Sequence, residues 1–222
     1  EAALDRKIRA LWIIATNPVV SFPNLGALTQ ALEGLEFLVV QDGYHPTPTS
    51  EFAHLVLPAA IWGEKEGTYT NSERRVSKVN KAVPPPAEAR SDFDIFLGLA
   101  HVLGVKDEIF PGWTKPVDAF EEWKKVSAGR LCDYSGITYE RVEAEHGIFW
   151  PCPAEGHPGT PRLFEPGSHN PVAKGAGPFY FPDGKARFNV AKYSPPAEDV
   201  DADYPIILTT GRSIYIVSMR QL

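Results

Sequence analysis

FLVVQDGYHPTPTSEFAHLVLPAAIWGEKEGTYTNSERRV, residues 37–76, is the stretch whose reading decides the fold. Its opening, Phe37 to Val40, is a short unbroken apolar run, the pattern of a strand covered on both faces rather than one with a wet side. The run breaks at Gln41-Asp42-Gly43, a turn signal, and a Pro- and Thr-rich stretch follows from Tyr44 to Ser50. Leu55 to Leu57 reads as another short strand, closed by Pro58. Between them, residues 49–54 suit a short helix with Thr49 or Ser50 as its N-cap.

Working backward, Leu11 to Ala15 (LWIIA) is a further buried strand ending at the turn signal Thr16-Asn17-Pro18. Leu25, Leu28, Leu32 and Leu35 are spaced three and four apart, which predicts a helix over 25–35 with one apolar side. Working forward, Val83 to Pro86 (VPPP) can extend neither a helix nor a central strand and reads as an extended connector. SDFDIFLGLAHVL, residues 91–103, predicts an amphipathic helix capped by Ser91 and ended by Gly104. Strands alternating with helices build a parallel sheet covered by helices, and ligands of such sheets sit outside the carboxyl ends of the strands. Asn17, Gln41 and Asp42 occupy those ends.

Beyond residue 123 the character changes. From Lys124 to Ala202, Pro and Gly recur every few residues and periodicity fades, which predicts a long irregular segment laid over a larger body. Short strands are expected at 186–191, after the Asp183-Gly184 turn, and at 206–210, running into Gly211-Arg212.

The 222 residues carry a formal charge of −6, which argues against a nucleic-acid face, since phosphate binding needs clustered Lys and Arg. No run of apolar residues is long enough to span a membrane, and no signal-peptide pattern opens the chain. Two cysteines, Cys132 and Cys152, are too few for a disulfide framework or a CxxC metal site and read as reduced thiols. The histidines lack the i, i+4 pairing of a metal site, and no nucleophile elbow, Walker loop or GxGxxG motif occurs. Chemistry concentrates in WGEKEGTYTNSERRV, residues 62–76. There Lys65, Arg74 and Arg75 offer cationic donors, Asn71 an amide, and Gly67 room for a close backbone approach. The competing reading of that stretch is a solvated charged loop, and Glu64 and Glu66 read as surface charges. The residues alone thus support a ligand-binding α/β domain with no catalytic constellation.

In order and spacing, LWIIATNP (11–18), the 37–76 stretch, PPPAEARSDFDIF (84–96) and DYPIILTTGR (203–212) resemble the molybdopterin-guanine-dinucleotide oxidoreductases, the dimethyl sulfoxide reductase superfamily. GRLCDYSGITYERV (129–142), IFWPCP (148–153), HPGTPRLF (157–164) and FPDGKARF (181–188) look most like the assimilatory nitrate reductases, with formate dehydrogenases sharing much of the first part. The resemblance implies a Rossmann-like parallel sheet with helices on both faces in residues 1–123, the family's third domain. An irregular connector over 124–202 and the first strand of a β-barrel domain in 203–222 would follow. It further implies that Asn17, Gln41, Asp42, Lys65 and Asp92 bind one guanosine end of a bis-molybdopterin guanine dinucleotide cofactor carrying molybdenum. Thr210, Gly211 and Arg212 would begin a second contact with it, although SIYIVSM (213–219) departs from the family's usual His- and Thr-rich loop.

By the same resemblance, a 4Fe-4S cluster belongs to a preceding domain, and neither cysteine here ligates metal. Partners would be the other domains of a cytoplasmic parent enzyme and its electron-donor protein. A start at Glu1 and a single methionine, Met219, suggest an excised or processed piece that is not itself catalytic. The rival readings are a structural subunit related to respiratory NADH dehydrogenase, in which a similar fold has lost its molybdenum, a formate dehydrogenase or other reductase of the same family, and a stand-alone nucleotide-binding or interaction module.

Overall fold

The computed structural model describes residues 1–167, 170–173, 175, 177–196 and 198–209. Three strands, β1 (Ala10–Ile14), β2 (Phe37–Asp42) and β3 (Leu55–Pro58), form a parallel sheet in the order β1-β2-β3. The described residues divide into two compact units, one holding those within 1–40, 46–55 and 187–209, the other those within 41–45 and 56–186.

In the first unit, β1 leads to a single turn, α1 (Pro18–Ser21), and then to α2 (Leu25–Glu33). Asn24 starts α2 by accepting a hydrogen bond from the Ala27 amide at 3.3 Å, and Gly34 ends it two residues earlier than the leucine spacing suggests. Ile13, Leu32, Leu35, Leu38 and Val40 form the core, with Leu28 and Phe52 packed against it. Those are the apolar positions of the strand and helix patterns, so burial follows the sequence period directly. Ser50–Phe52 is a 3₁₀ turn with Thr49 at its cap position, and His54 Nδ1 accepts from the Leu38 amide at 3.0 Å.

The second unit is built around a hairpin. β4 (Gly67–Thr70) pairs antiparallel with β5 (Arg75–Val79), and β6 (Ile148–Phe149) adds to the other side of β5, with Val76 opposite Ile148. Asn71 closes the hairpin loop, its side-chain oxygen accepting from the Arg75 amide at 3.0 Å while Arg74 takes a left-handed φ of 73°. Helices α3 (Asp92–Val102), α4 (Lys106–Ile109), α5 (Pro116–Ser127) and α6 (Tyr139–Ala144) complete the unit. Val76, Phe120, Tyr134, Ile137, Val142, Ile148 and Cys152 make its core. Phe120 meets Tyr134 and Tyr139 edge-on, with centroids 6.1 and 5.2 Å away.

Several expectations are corrected here. Residues 62–76 are not a free charged loop, since most of them form the hairpin and its approach. The first part of the expected irregular segment folds: α6, β6 and Cys152 bury apolar side chains against Val76 and Phe120, supplying a core that composition does not reveal. The strand expected at 186–191 does not form, and Phe188 and Val190 stand 93% and 94% exposed. Residues 206–209 are likewise not a strand, so the expected opening of a barrel is not seen among the described residues. An apolar run makes a strand only when a partner edge completes its backbone hydrogen bonds.

Candidate functional site

The ends of β2 and β3 lie side by side, the Ala59 amide donating to the Asp42 carbonyl at 2.9 Å. Residue 90 runs parallel beside Ala59: Arg90 donates its amide to the Pro58 carbonyl and receives the Ala60 amide at 2.8 Å. This short pairing delivers the start of α3 to the carboxyl end of the sheet, where doubly wound folds hold ligands. Ser91 caps the helix, its hydroxyl accepting from the Asp94 amide at 3.1 Å and donating to the Asp94 carboxylate at 2.7 Å.

Three of the residues singled out from sequence converge here. Asp92 receives the Gln41 side-chain amide on Oδ1 at 2.7 Å and the Lys65 ammonium on Oδ2. Gln41 is fully buried, and because an ionised carboxylate only accepts, its NH₂ group must face Asp92. Its carbonyl oxygen Oε1 is then left buried without a hydrogen-bond partner. Burial pushes the Asp92 carboxyl upward, but the hydrogen bonds from Lys65 and Gln41 and the Lys65 charge outweigh it and hold the group below its ordinary value.

Asp42, next along β2, alternates to the opposite face of the strand. It is 6% exposed, and its Oδ1 accepts from the Tyr44 amide at 3.1 Å, fixing the turn that leaves the sheet. Gly43 sits inside that turn, where a Cβ would lie 2.7 Å from Ile61 Cγ2. Asn17 belongs to the first unit and is occupied structurally: its Oδ1 accepts from the Thr49 hydroxyl at 2.6 Å and from the Thr49 amide at 3.3 Å. Thr49 Oγ1 in turn accepts from the Val19 amide. Sequence spacing gives no hint of this pairing across 32 residues. Thr210, Gly211 and Arg212 lie outside the described residues.

Arg74, which composition offers as an anion donor, serves the fold instead. Its guanidinium donates to the carbonyls of Trp150, Thr160 and Pro161 and lies 5.5 Å over the Trp150 ring. Among the described residues no group of three His, Cys, Asp or Glu is placed to hold a metal ion, and no helix is long and apolar enough to cross a membrane. Cys152 is buried, and burial raises its thiol above the usual range in spite of nearby Arg141.

Residues 1–102 match the family model described as molybdopterin oxidoreductase. The chain is 42% identical over 210 residues to the F420-dependent formate dehydrogenase subunit alpha of Methanocaldococcus jannaschii, covering 95% of this chain and 28% of that protein. It is 41% identical over 210 residues to the assimilatory nitrate reductase catalytic subunit of Bacillus subtilis (94% of this chain, 28% of the relative). To the nitrate reductase of Synechocystis sp. it is 38% identical over 212 residues, again 94% and 28%. The chain therefore spans just over a quarter of the length of these relatives, aligned along nearly all of its own. Residues 1–102 are thus a molybdopterin oxidoreductase family domain, and nearly the whole chain aligns with nitrate reductase catalytic subunits and formate dehydrogenase alpha subunits.

Proposed function

We propose that this chain is a cofactor-positioning region of a molybdenum oxidoreductase and binds a guanosine end of bis-molybdopterin guanine dinucleotide. The observation that carries this reading is the Gln41–Asp92–Lys65 cluster at the strand ends, with the Gln41 carbonyl oxygen buried and unmatched. A buried acceptor without a donor is costly, and a ligand N–H or O–H is one way to satisfy it.

The groups present fit the cofactor's nucleotide. Guanine offers N–H donors and ribose offers hydroxyls, which suit the Asp42 carboxylate and Gln41 Oε1. Lys65 keeps donors beyond the one given to Asp92 and suits a phosphate. Asp92 holds Lys65 and Gln41 in place rather than facing the ligand itself. When bound, the cofactor supplies two-electron redox chemistry at molybdenum, and this chain's residues contribute position and charge, not a reacting group. Asn17, in the first unit, is assigned to the cofactor on the family resemblance alone.

For the whole protein we favour a nitrate reductase-like activity, on the likeness of residues 129–188 to the assimilatory enzymes. Formate oxidation is the second reading, favoured by the 42% identity to a formate dehydrogenase subunit. A non-catalytic structural subunit is disfavoured, because it would have no use for Asp42, Lys65 and Asp92 together. A 4Fe-4S cluster in another domain, a separate electron-donor protein and a cytoplasmic location belong to the same proposal, as does a lack of catalysis by these residues alone.

Calorimetric titration of the chain with GMP and GDP tests the reading. Binding that weakens at least tenfold in Asp42→Ala is expected, since a charge-assisted hydrogen bond lost is worth about 1.5–3 kcal/mol. Binding indifferent to Asp42 and Lys65, or none at millimolar ligand, would refute it.

A further inference from the structure

Away from the sheet ends, the second unit holds a cavity of about 350 Å³ between β4 and α5 whose walls are mostly aromatic. Phe120 and Trp123 face it from α5, three residues apart and so on one side of the helix. Tyr134 and Tyr139, the latter at the start of α6, supply two more rings, and Thr70 contributes from the end of β4. The rings meet edge to face. Trp123 stands at 79° to Tyr134, and Phe120 at 66° to Tyr134 and 62° to Tyr139. Planes turned through such angles form the walls of a box rather than a stack. Phe120 and Tyr134 are buried at its floor, while Trp123, 43% exposed, stands at the mouth.

The face of an aromatic ring carries negative potential and attracts a cation within about 6 Å of its centre. Tyr139 already carries one, since Lys78 Nζ lies 6.0 Å from its ring centre with its charge answered by Glu143 at 2.6 Å. Carboxylates outnumber ammonium groups around this ring: Glu66, Glu121, Glu140 and Glu143 against Lys78 and Lys124. Lys124 pairs with Glu121, whereas Glu66 is exposed and forms no ion pair among the described residues. The field of Glu66 and Glu121 adds to burial in pushing the Tyr139 phenol up to about 12, the effect of a negative potential at the ring.

The same walls select among cations. Thr70 Oγ1 and Tyr134 Oη bond each other at 2.9 Å, which turns ring carbon rather than hydroxyl toward the cavity. A primary ammonium entering there would give up water for few acceptors and leave N–H donors unpaired. A quaternary ammonium has no N–H to strand, and its methyl groups pack against ring faces while the charge is held by the rings and by Glu66. We propose that this aromatic box is a binding site for a small quaternary ammonium cation of the choline type. None of Gln41, Asp42, Lys65 and Asp92 lines it, so the site is independent of the guanosine reading.

The test is calorimetric titration of the 222-residue chain, at matched ionic strength, with choline and with its uncharged isostere 3,3-dimethylbutan-1-ol. Wild type is expected to bind choline about tenfold more tightly than the alcohol, as for a cation held by several ring faces. Trp123→Ala should bring that ratio close to one. Because the ratio is taken within one protein, a partly unfolded variant leaves it intact. Glu66→Gln removes a charge and no printed contact of the fold, and should weaken choline about threefold while leaving the alcohol unchanged. Saturating choline should leave the heat of GDP binding as it was. Equal affinity for choline and the alcohol, a ratio untouched by both substitutions, competition between choline and GDP, or no choline binding at millimolar ligand would each overturn the assignment.

Discussion

Removing the Asp92 carboxylate should cost the second unit about 3 kcal/mol, the sum of three losses. The Gln41 NH₂ group is fully buried and would lose its acceptor, worth about 1–3 kcal/mol. Lys65 would lose its ion pair, but with 22% of its side chain exposed it recovers part of its hydration, leaving about 1 kcal/mol. Asp92 is also the first residue of α3, where a negative charge against the helix dipole contributes about 0.5 kcal/mol.

Asp92→Ala forfeits all three contributions, whereas Asp92→Asn keeps an acceptor for Gln41 and loses only those that need charge, about 1.5 kcal/mol. The sign with pH follows from the depressed carboxyl. Its stabilisation is complete above the unfolded value of about 4 and disappears as pH falls through the lower folded value. Wild type should therefore exceed Asp92→Asn at pH 7 and approach it in strong acid. Urea titration followed by hydrogen exchange of the α3 amides measures both. A cost below about 1 kcal/mol for Asp92→Ala, or a wild-type advantage over Asn that does not change with pH, would refute the reasoning.

Two further outcomes are expected. Arg74→Ala should lose about 3 kcal/mol, since three carbonyl bonds go at once, and Arg74→Lys should recover less than half because a point ammonium cannot reproduce the fork; limited proteolysis near residues 150–161 reads the loosening, and a wild-type rate would contradict it. Burial, with smaller contributions from Glu66 and Glu121, pushes Tyr139 up to about 12, so its neutral form is favoured in the fold. Stability is whole below the unfolded value of about 10 and drains as pH rises toward the folded one, an alkaline loss that Tyr139→Phe should remove in a pH series of melting curves.

The strands at the front of the chain were legible because each is a continuous apolar run, and Ile13, Leu38 and Val40 are indeed buried. The helix at Asp92–Val102 was legible from its cap and its terminal glycine: Ser91 binds the Asp94 amide, and Gly104 takes a φ of 72°. The hairpin was not. Of β4 and β5 only Val76 is buried, so the two-residue alternation that announces a strand is nearly absent from GTYT and RVSKV. β6 is two residues long and exists because Val76 and Arg75 are there to pair with, some seventy residues earlier in the chain. At 186–191 the reverse happened: alternation was present and a partner edge was not.

The site divides along the same line. Residue types at strand ends could be read from the sequence, so Gln41 and Asp42 were placed at the end of β2, but contact could not. Asp92 lies 51 residues from Gln41 and 27 from Lys65, and only the parallel pairing of Arg90 with Ala59 brings the helix start to the sheet. Arg74 shows the cost of judging by type alone. A guanidinium in a polar loop suits a phosphate, yet here three carbonyls from the 150–161 loop claim it. Which cations the fold has already claimed depends on long-range packing, so Arg74 could be told from a ligand donor only after the hairpin and the 150–161 loop had folded around it.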